Sequence, residues 1–116
     1  MTIDSGVTIA GVGHHLPDLI EDNETLCVKL GVGPEWILEK TGIKRRYLAR
    51  PEDSASDYAA KAARNALDMA GISADEVDLI VVCTFSGDYI FPPVSAKVQS
   101  LLNAPHAQKI FKKCTG

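Results

Sequence analysis

Three cysteine thiols, a histidine pair and a single tryptophan are the side chains of this 116-residue chain whose types could do chemistry. A thiolate is a nucleophile and an imidazole can take its proton, but neither His14 nor His15 stands at motif spacing from a cysteine or a carboxylate. The histidine pair is most simply solvated or hydrogen-bonded in a loop. The cysteines are odd in number and widely spaced, which argues against both a disulfide framework and a zinc site.

Trp36 precedes a stretch of basic sequence. Between Lys40 and Arg50 the chain has five cations and no acid. A flat aromatic ring beside acid-free basic sequence suits a nucleotide with phosphates, because the base can stack and the phosphates can pair with cations. An ordinary amphipathic helix with Trp36 packed on the core explains the residue equally well. A second basic stretch without acids follows Asp88 and contains four lysines: Lys97, Lys109, Lys112 and Lys113.

The composition is typical of one globular domain. Hydrophobic residues make up 46% and charged residues 23% of the chain, which excludes intrinsic disorder as a description of the whole. The net charge of −3 argues against a general nucleic-acid binder. The longest apolar run, Leu79 to Cys83, is far shorter than the roughly 18 residues of a membrane span, and the first residues lack the features of a secretory signal. We therefore expect a cytoplasmic protein.

Predicted helices alternate with predicted strands along the chain. The β-branched run from Val7 to Val12 predicts a buried strand, and the residues from Asp78 to Thr84 predict another that is apolar, and so covered, on both faces. An alanine stripe from Asp57 to Ala70 predicts a helix packed across these strands. Capping and breaker residues predict further helices at Asn23 to Leu30, Pro34 to Thr41 and Val94 to Leu102, a helical turn after Ser73, and strands at Ile43 to Ala49 and Gln108 to Phe111. This alternation predicts an α/β layered sheet.

Three stretches of the chain carry a family resemblance. They run from Ile9 to Pro17, from Glu35 to Arg46 with the core E-W-I-x-x-x-T-G-I, and from Val77 through Thr84 to Pro92. Their order and spacing make the joint match specific, and together they resemble the N-terminal part of the β-ketoacyl-acyl-carrier-protein synthase III family. The resemblance implies an α/β, thiolase-like half-domain in which a layered mixed sheet has helices on both faces. Residues 1–116 would be the N-terminal part of a condensing-enzyme domain whose C-terminal half is absent.

The resemblance also implies an activity. Family members are acyltransferases that condense an acyl-CoA primer with malonyl carrier protein in fatty-acid or polyketide synthesis. They use a Cys-His-Asn triad whose His and Asn lie in the second half of the fold, so we expect the isolated chain to be inactive. The expected partners are acyl carrier protein, acyl-CoA and further copies of the chain in a dimer or other homo-oligomer, with no nucleic acid and no membrane. No covalently bound cofactor is expected, because CoA enters as part of the acyl-CoA substrate.

Cys114 resembles the family's nucleophile, since a small residue and Gly116 follow it. A thiolate must attack a thioester, and a cysteine at the start of a buried helix has a lowered pKa. The family usually has F-D and four further residues before this cysteine, whereas only two lysines separate Phe111 from Cys114. A shortened segment would remove residues that aim the sulfur. The alternative is a tail thiol without function, and Cys27 and Cys83 are interpreted as packing residues.

Trp36 stands where family members stack the adenine of CoA. The resemblance assigns the CoA phosphates to three cations: Lys40, Arg45 and Arg46. The chain departs from the family at Lys40, where arginine is frequent, and at Val32, where threonine is usual. Lysine lacks the bidentate geometry of arginine.

Phe91 resembles the residue that family members send across the dimer interface to line the partner's acyl pocket. An aromatic side chain in a proline-flanked loop is equally a candidate for a local anchor. Two further functions stay open: a non-catalytic module that binds CoA or carrier protein, or takes part in assembly, and an inactive truncation. A carrier protein is acidic, so the basic stretch from Lys40 to Arg50 would suit it.

Overall fold

The computed structural model describes residues 6–113, which fall into two compact units. The smaller unit is residues 16–53, and the larger unit combines residues 6–15 with residues 54–113. The elements in chain order are β1 (Leu19–Asp22), α1 (Asn23–Leu30), α2 (Pro34–Thr41), β2 (Arg45–Leu48), α3 (Ala55–Ala70), a 3-10 turn (Ala74–Glu76), β3 (Leu79–Thr84), α4 (Val94–Leu102) and β4 (Gln108–Lys113).

In the smaller unit, the chain runs from β1 through α1 and α2 to β2, and the two strands pair with each other. β1 and β2 are antiparallel, with Leu19 opposite Leu48. The Asp22 side chain accepts a hydrogen bond from the Thr25 amide at 2.8 Å and so caps α1. Gly31 closes α1 in the left-handed region, which costs glycine little. α2 has the bounds that the sequence predicts, whereas α1 was predicted to be capped by Asn23 and is capped by Asp22. β1 was not predicted, because a four-residue strand containing two acids has no alternating apolar pattern.

In the larger unit, a short parallel sheet packs against α4, which in turn packs against α3. β3 and β4 are joined through α4 and pair in register from Leu79 opposite Gln108 to Thr84 opposite Lys113. The alanine stripe predicts a helix from Asp57 packed across the strands, but α3 packs mainly against α4 and begins at Ala55 because Ser54 caps it. The core of this unit is a cluster of buried apolar side chains: Ala60, Ile80, Val94, Val98, Leu102, Ala104 and Ala107.

The predicted strand from Val7 to Val12 is wrong in this structure. Those residues form no ladder with a described strand and instead lie along α3. A Cβ placed on Gly11 would come within 2.3 Å of the carbonyl oxygen of Ala66, so the absence of a side chain there permits direct backbone contact. Apolar β-branched residues favour burial in a sheet, but they do not specify the strand edge that must receive them.

The prediction that β3 is covered on both faces is also wrong for the part of the chain described. Ile80 is buried beneath α4, whereas Leu79 and Val81 on the opposite face are 48% and 55% exposed. The apolar composition of a strand indicates that both of its faces are suited to burial. The same composition does not determine which residues cover each face, or that those residues lie within these 116 positions.

Candidate functional site

Trp36 lies on the surface of the smaller unit. Its side chain is 51% exposed, whereas the next residue, Ile37, is only 4% exposed and faces the interior. Lys40 follows Trp36 by one helical turn, so both residues lie on the same side of α2. An indole face and an ammonium group are therefore both presented to solvent on one helix.

The predicted phosphate-binding cations have different surroundings. Lys40 is exposed and lies 3.4 Å from the exposed carboxylate of Glu39, an arrangement that contributes little to stability. Arg45 is exposed at the start of β2. The side chain of Arg46 is half-buried and donates from Nη2 to Oδ1 of Asn23 at 2.9 Å.

Arg46 therefore supports the local fold. Asn23, which is 5% exposed, donates in turn to the carbonyl oxygen of Ile43 at 2.9 Å. These bonds connect the first residue of α1 to β2 and to the residues just before it. Nη1 of Arg46 is buried and has no hydrogen-bond partner among the described residues. Lys40 and Arg45 carry the accessible charge of the predicted set, and Arg46 holds the backbone that presents Arg45.

Phe91 lies in the loop of residues 85–93, between β3 and α4 of the larger unit. Its side chain is 84% exposed, so it does not act as a local anchor within the described residues. The other large side chains of this loop are also exposed: Phe85, Tyr89 and Ile90. The loop presents an apolar surface to solvent.

A polar cluster beneath this loop was not predicted from the sequence. The side chain of Asp88 is 6% exposed, and its two carboxylate oxygens each lie 3.3 Å from the backbone amide of Ser56, in the first turn of α3. Burial raises the pKa of Asp88, but hydrogen bonds from Ser56 and from the Ala55 amide, together with the charge of Lys97, outweigh it and hold the pKa below the ordinary 3.8. A charged carboxylate therefore sits at the N-terminus of a 16-residue helix. The only sequence signal was an aspartate in a loop after an apolar strand.

The remaining candidates for chemistry are the cysteines and the histidine pair. Cys114 falls outside the described residues. The half-buried thiol of Cys27 donates to the carbonyl oxygen of Glu24 at 3.0 Å, and Cys83 is exposed on β3. The His15 ring stacks on Tyr58 with centroids 5.4 Å apart. Among residues 6–113, no group of three His, Cys, Asp or Glu side chains is arranged to hold a metal ion.

An open cleft of about 650 Å³ lies in the larger unit between residues 8–11, α3 and β3. Its lining is almost wholly apolar and includes Ala63, Ala66 and Val81. Residues 8–11, which were predicted to form a strand, line one side of the cleft. With no titratable pair in its lining, the cleft offers a surface for packing rather than for acid–base chemistry.

Over the described part of the chain, no helix is long and apolar enough to cross a bilayer.

Comparisons with known proteins identify relatives of this chain. No family model matches it. A β-ketoacyl-[acyl-carrier-protein] synthase III of Granulibacter bethesdensis is 46% identical over 96 residues, which are 83% of this chain and 30% of that protein. The enzyme of the same name in Streptococcus uberis is 42% identical over 99 residues, again covering 30% of its length. The chain thus spans about a third of the length of the curated relatives it matches.

Solved structures give the same result at the level of the fold. The crystal structure of a priming β-ketosynthase from a polyketide biosynthetic pathway matches 91% of this chain with a TM-score of 0.87 and 31% identity, over 32% of its own chain. The 3-oxoacyl-[acyl-carrier-protein] synthase III of Aquifex aeolicus matches with a TM-score of 0.85 and 34% identity, over 34% of its chain. The family resemblance and the α/β fold class that the sequence predicts are confirmed.

Proposed function

We propose that this chain, a relative of the β-ketoacyl-[acyl-carrier-protein] synthases III in sequence and fold, is the N-terminal part of a condensing enzyme. The enzyme would join an acyl-CoA primer to malonyl carrier protein in fatty-acid or polyketide synthesis, in the cytoplasm. Beyond the similarity itself, the observation that carries this proposal is the half-exposed indole of Trp36 with Lys40 one turn further along α2. That face supplies a stacking surface and a cation, which adenine and phosphate require.

The proposed roles follow the chemistry of each side chain. Trp36 stacks on the adenine of CoA, and Lys40 and Arg45 meet its phosphates. Arg46 acts indirectly, because its guanidinium is engaged with Asn23. Lysine gives a point charge rather than a bidentate pair, so we expect CoA to be bound weakly.

The proposed covalent step uses the thiolate of Cys114. Its sulfur attacks the thioester carbonyl of the acyl-CoA, the bond from the acyl carbon to the CoA sulfur breaks, and CoA leaves as its thiol. A carbanion formed by loss of carbon dioxide from malonyl carrier protein then attacks the acyl-enzyme and releases the cysteine. The oxyanion and the enolate of these steps need hydrogen-bond donors, which the family takes from His and Asn outside the matched region.

CoA binding can be measured directly because Trp36 is the only tryptophan. Titrating CoA into the chain should quench indole fluorescence, with an affinity that falls as salt is raised. Lys40→Met and Arg45→Met should each weaken binding by roughly threefold to tenfold, since each removes one charge-assisted contact. The matched control is Lys61→Met, an exposed lysine of α3 in the larger unit. Absence of quenching, or equal loss of affinity in the control, would contradict the proposed site.

Catalysis by the isolated chain is tested with acyl-CoA and malonyl carrier protein. We expect no detectable ketoacyl product, because members of a catalytic unit are strongly interdependent and removing some of them costs orders of magnitude in rate. Slow acylation of Cys114 is compatible with this expectation. Steady turnover that Cys114→Ala abolishes would refute it.

A non-catalytic module is the second candidate, and the exposed charges of Lys40 and Arg45 favour it as a surface for an acidic carrier protein. Sequencing of the reading frame beyond residue 116 separates the two. A continuation with His and Asn motifs supports the enzyme, and a stop codon supports a binding module or an inactive truncation. Either protein is proposed to be a dimer or larger homo-oligomer, with the exposed loop around Phe91 at the interface.

A further inference from the structure

We propose that Asp88 and Lys97 are positioning residues that hold the loop of residues 85–93 in place and thereby fix the location of Phe91. Only one part of this inference rests on the proposed function, namely that Phe91 lines an acyl pocket. The clamp itself is a property of the larger unit, and it is tested without any ligand.

Asp88 is the one residue from Phe85 to Pro92 that is not exposed. Its carboxylate is nearly buried and accepts from the Ser56 amide, one of the N–H groups that the first turn of α3 leaves without a helical partner. If the loop left this position, the amides of Ser56 and Ala55 would lose their acceptor and the carboxylate would lose its charge-assisted hydrogen bonds.

Lys97 joins the parts of the clamp. It belongs to α4, and its Nζ lies 3.6 Å from Oδ2 of Asp88 and 3.4 Å from Oγ of Ser54, the residue that caps α3. The same ammonium group lies 5.5 Å from the centre of the Tyr89 ring, within range of a cation–π interaction. One side chain thus contacts the cap of α3 and two consecutive residues of the loop.

These contacts restrict Phe91 from both sides. Asp88 is fixed three residues before it, and Val94, which is 2% exposed, is fixed in the core three residues after it. A segment of five residues between two fixed ends has few conformations available. An exposed aromatic side chain can therefore keep a defined location without packing of its own.

Chymotrypsin cleavage at nanomolar chain concentration, below the micromolar range in which association is expected, tests the clamp, because Phe85 and Tyr89 are exposed cleavage sites in a loop that must open to enter the protease. Asp88→Asn should accelerate cleavage in the loop about tenfold and Lys97→Met about threefold, because the removed bonds involve charged groups. The acceleration in the double variant should be less than the roughly thirtyfold that independent effects would give, since the two residues share one ion pair. Asp75→Asn and Lys109→Met, which change exposed charges elsewhere in the unit, are the matched controls.

A spectroscopic signature separates positioning from a general effect on stability. The Tyr89 ring should shift the side-chain methylene resonances of Lys97 upfield, and Asp88→Asn should abolish that shift at temperatures where the chain remains folded. Asp88→Glu should restore part of it. Cleavage within twofold of wild type in both variants, equal acceleration in the controls, or a Lys97 resonance unaffected by Asp88→Asn would each overturn the proposal. Because no CoA is present, failure of the clamp is distinct from failure of CoA binding at Trp36.

Discussion

Replacing Gly13 by alanine should lift the N-terminal segment from α3. A Cβ at this position would lie 2.2 Å from the carbonyl oxygen of Ala62 and 2.5 Å from the amide nitrogen of Ala66, whereas ordinary contact begins at 3.4 Å. Both atoms belong to a helix backbone and cannot rotate away. The segment must therefore move by roughly 1 Å, which is enough to lose up to about half of the attraction at a close contact.

The size of the effect follows from the contacts that this movement breaks. Nδ2 of Asn65 donates to the carbonyl oxygen of His14 at 2.9 Å, directly beside the substituted residue. A neutral hydrogen bond contributes about 0.5–1.5 kcal/mol, and overpacking in a tight contact costs about 1–3 kcal/mol. Because a terminal segment can detach, its docking free energy limits the cost. We expect Gly13→Ala to lower the free energy of unfolding by about 1–3 kcal/mol.

Urea unfolding and the side-chain amide resonances of Asn65 measure this change. The urea midpoint should fall, and the Nδ2 resonances of Asn65 should move toward those of a free amide because their acceptor, the carbonyl oxygen of His14, moves away. Gly33→Ala is the control, since its Cβ would be 3.4 Å from the movable end of the Glu35 side chain, and it should leave the Asn65 resonances unchanged. A Gly13→Ala variant with an unchanged midpoint and unchanged Asn65 resonances would refute the reasoning.

Three further outcomes are expected. The pKa of Asp88 is lowered in the folded state, so its carboxylate stabilises the fold above the pKa it has in the unfolded chain, and this stabilisation is lost as pH falls through the folded pKa. The urea midpoints of wild type and Asp88→Asn should therefore converge below about pH 4. Arg46→Met should lower the free energy of unfolding by about 1–3 kcal/mol, because Oδ1 of Asn23 loses its hydrogen-bond donor. Lys40→Met should lower it by less than about 0.5 kcal/mol, because the ion pair with Glu39 is exposed, and equal losses in thermal unfolding would contradict this distinction. Light scattering at micromolar concentration should detect species larger than the 12.5 kDa chain, since apolar side chains of β3 and of the loop are exposed, and a stable monomer would exclude the proposed association.

Short-range signals account for what was predicted correctly. α2 and α4 have the predicted bounds, and α1 has the predicted end, because the residues that start and stop a helix lie within a few positions of its ends, such as Pro34 at the first turn and Gly42 just after the last. The capping box between Ser73 and Glu76 is confirmed for the same reason. The family resemblance also needed only residue order and spacing, and it is confirmed by the relatives.

The sequence by itself therefore determined the helices, the fold class and the relatives, together with the candidate residues around Trp36. Only the tertiary structure decided that residues 7–12 lie against α3 rather than in a sheet, that Arg46 is engaged by Asn23, and that Asp88 accepts from the first turn of α3. Each of these depends on a partner at least 20 residues distant along the chain. A strand forms only where a second strand pairs with it, and a buried charge persists only where another group hydrogen-bonds to it. Packing brings those partners together, and a short window of sequence does not contain them.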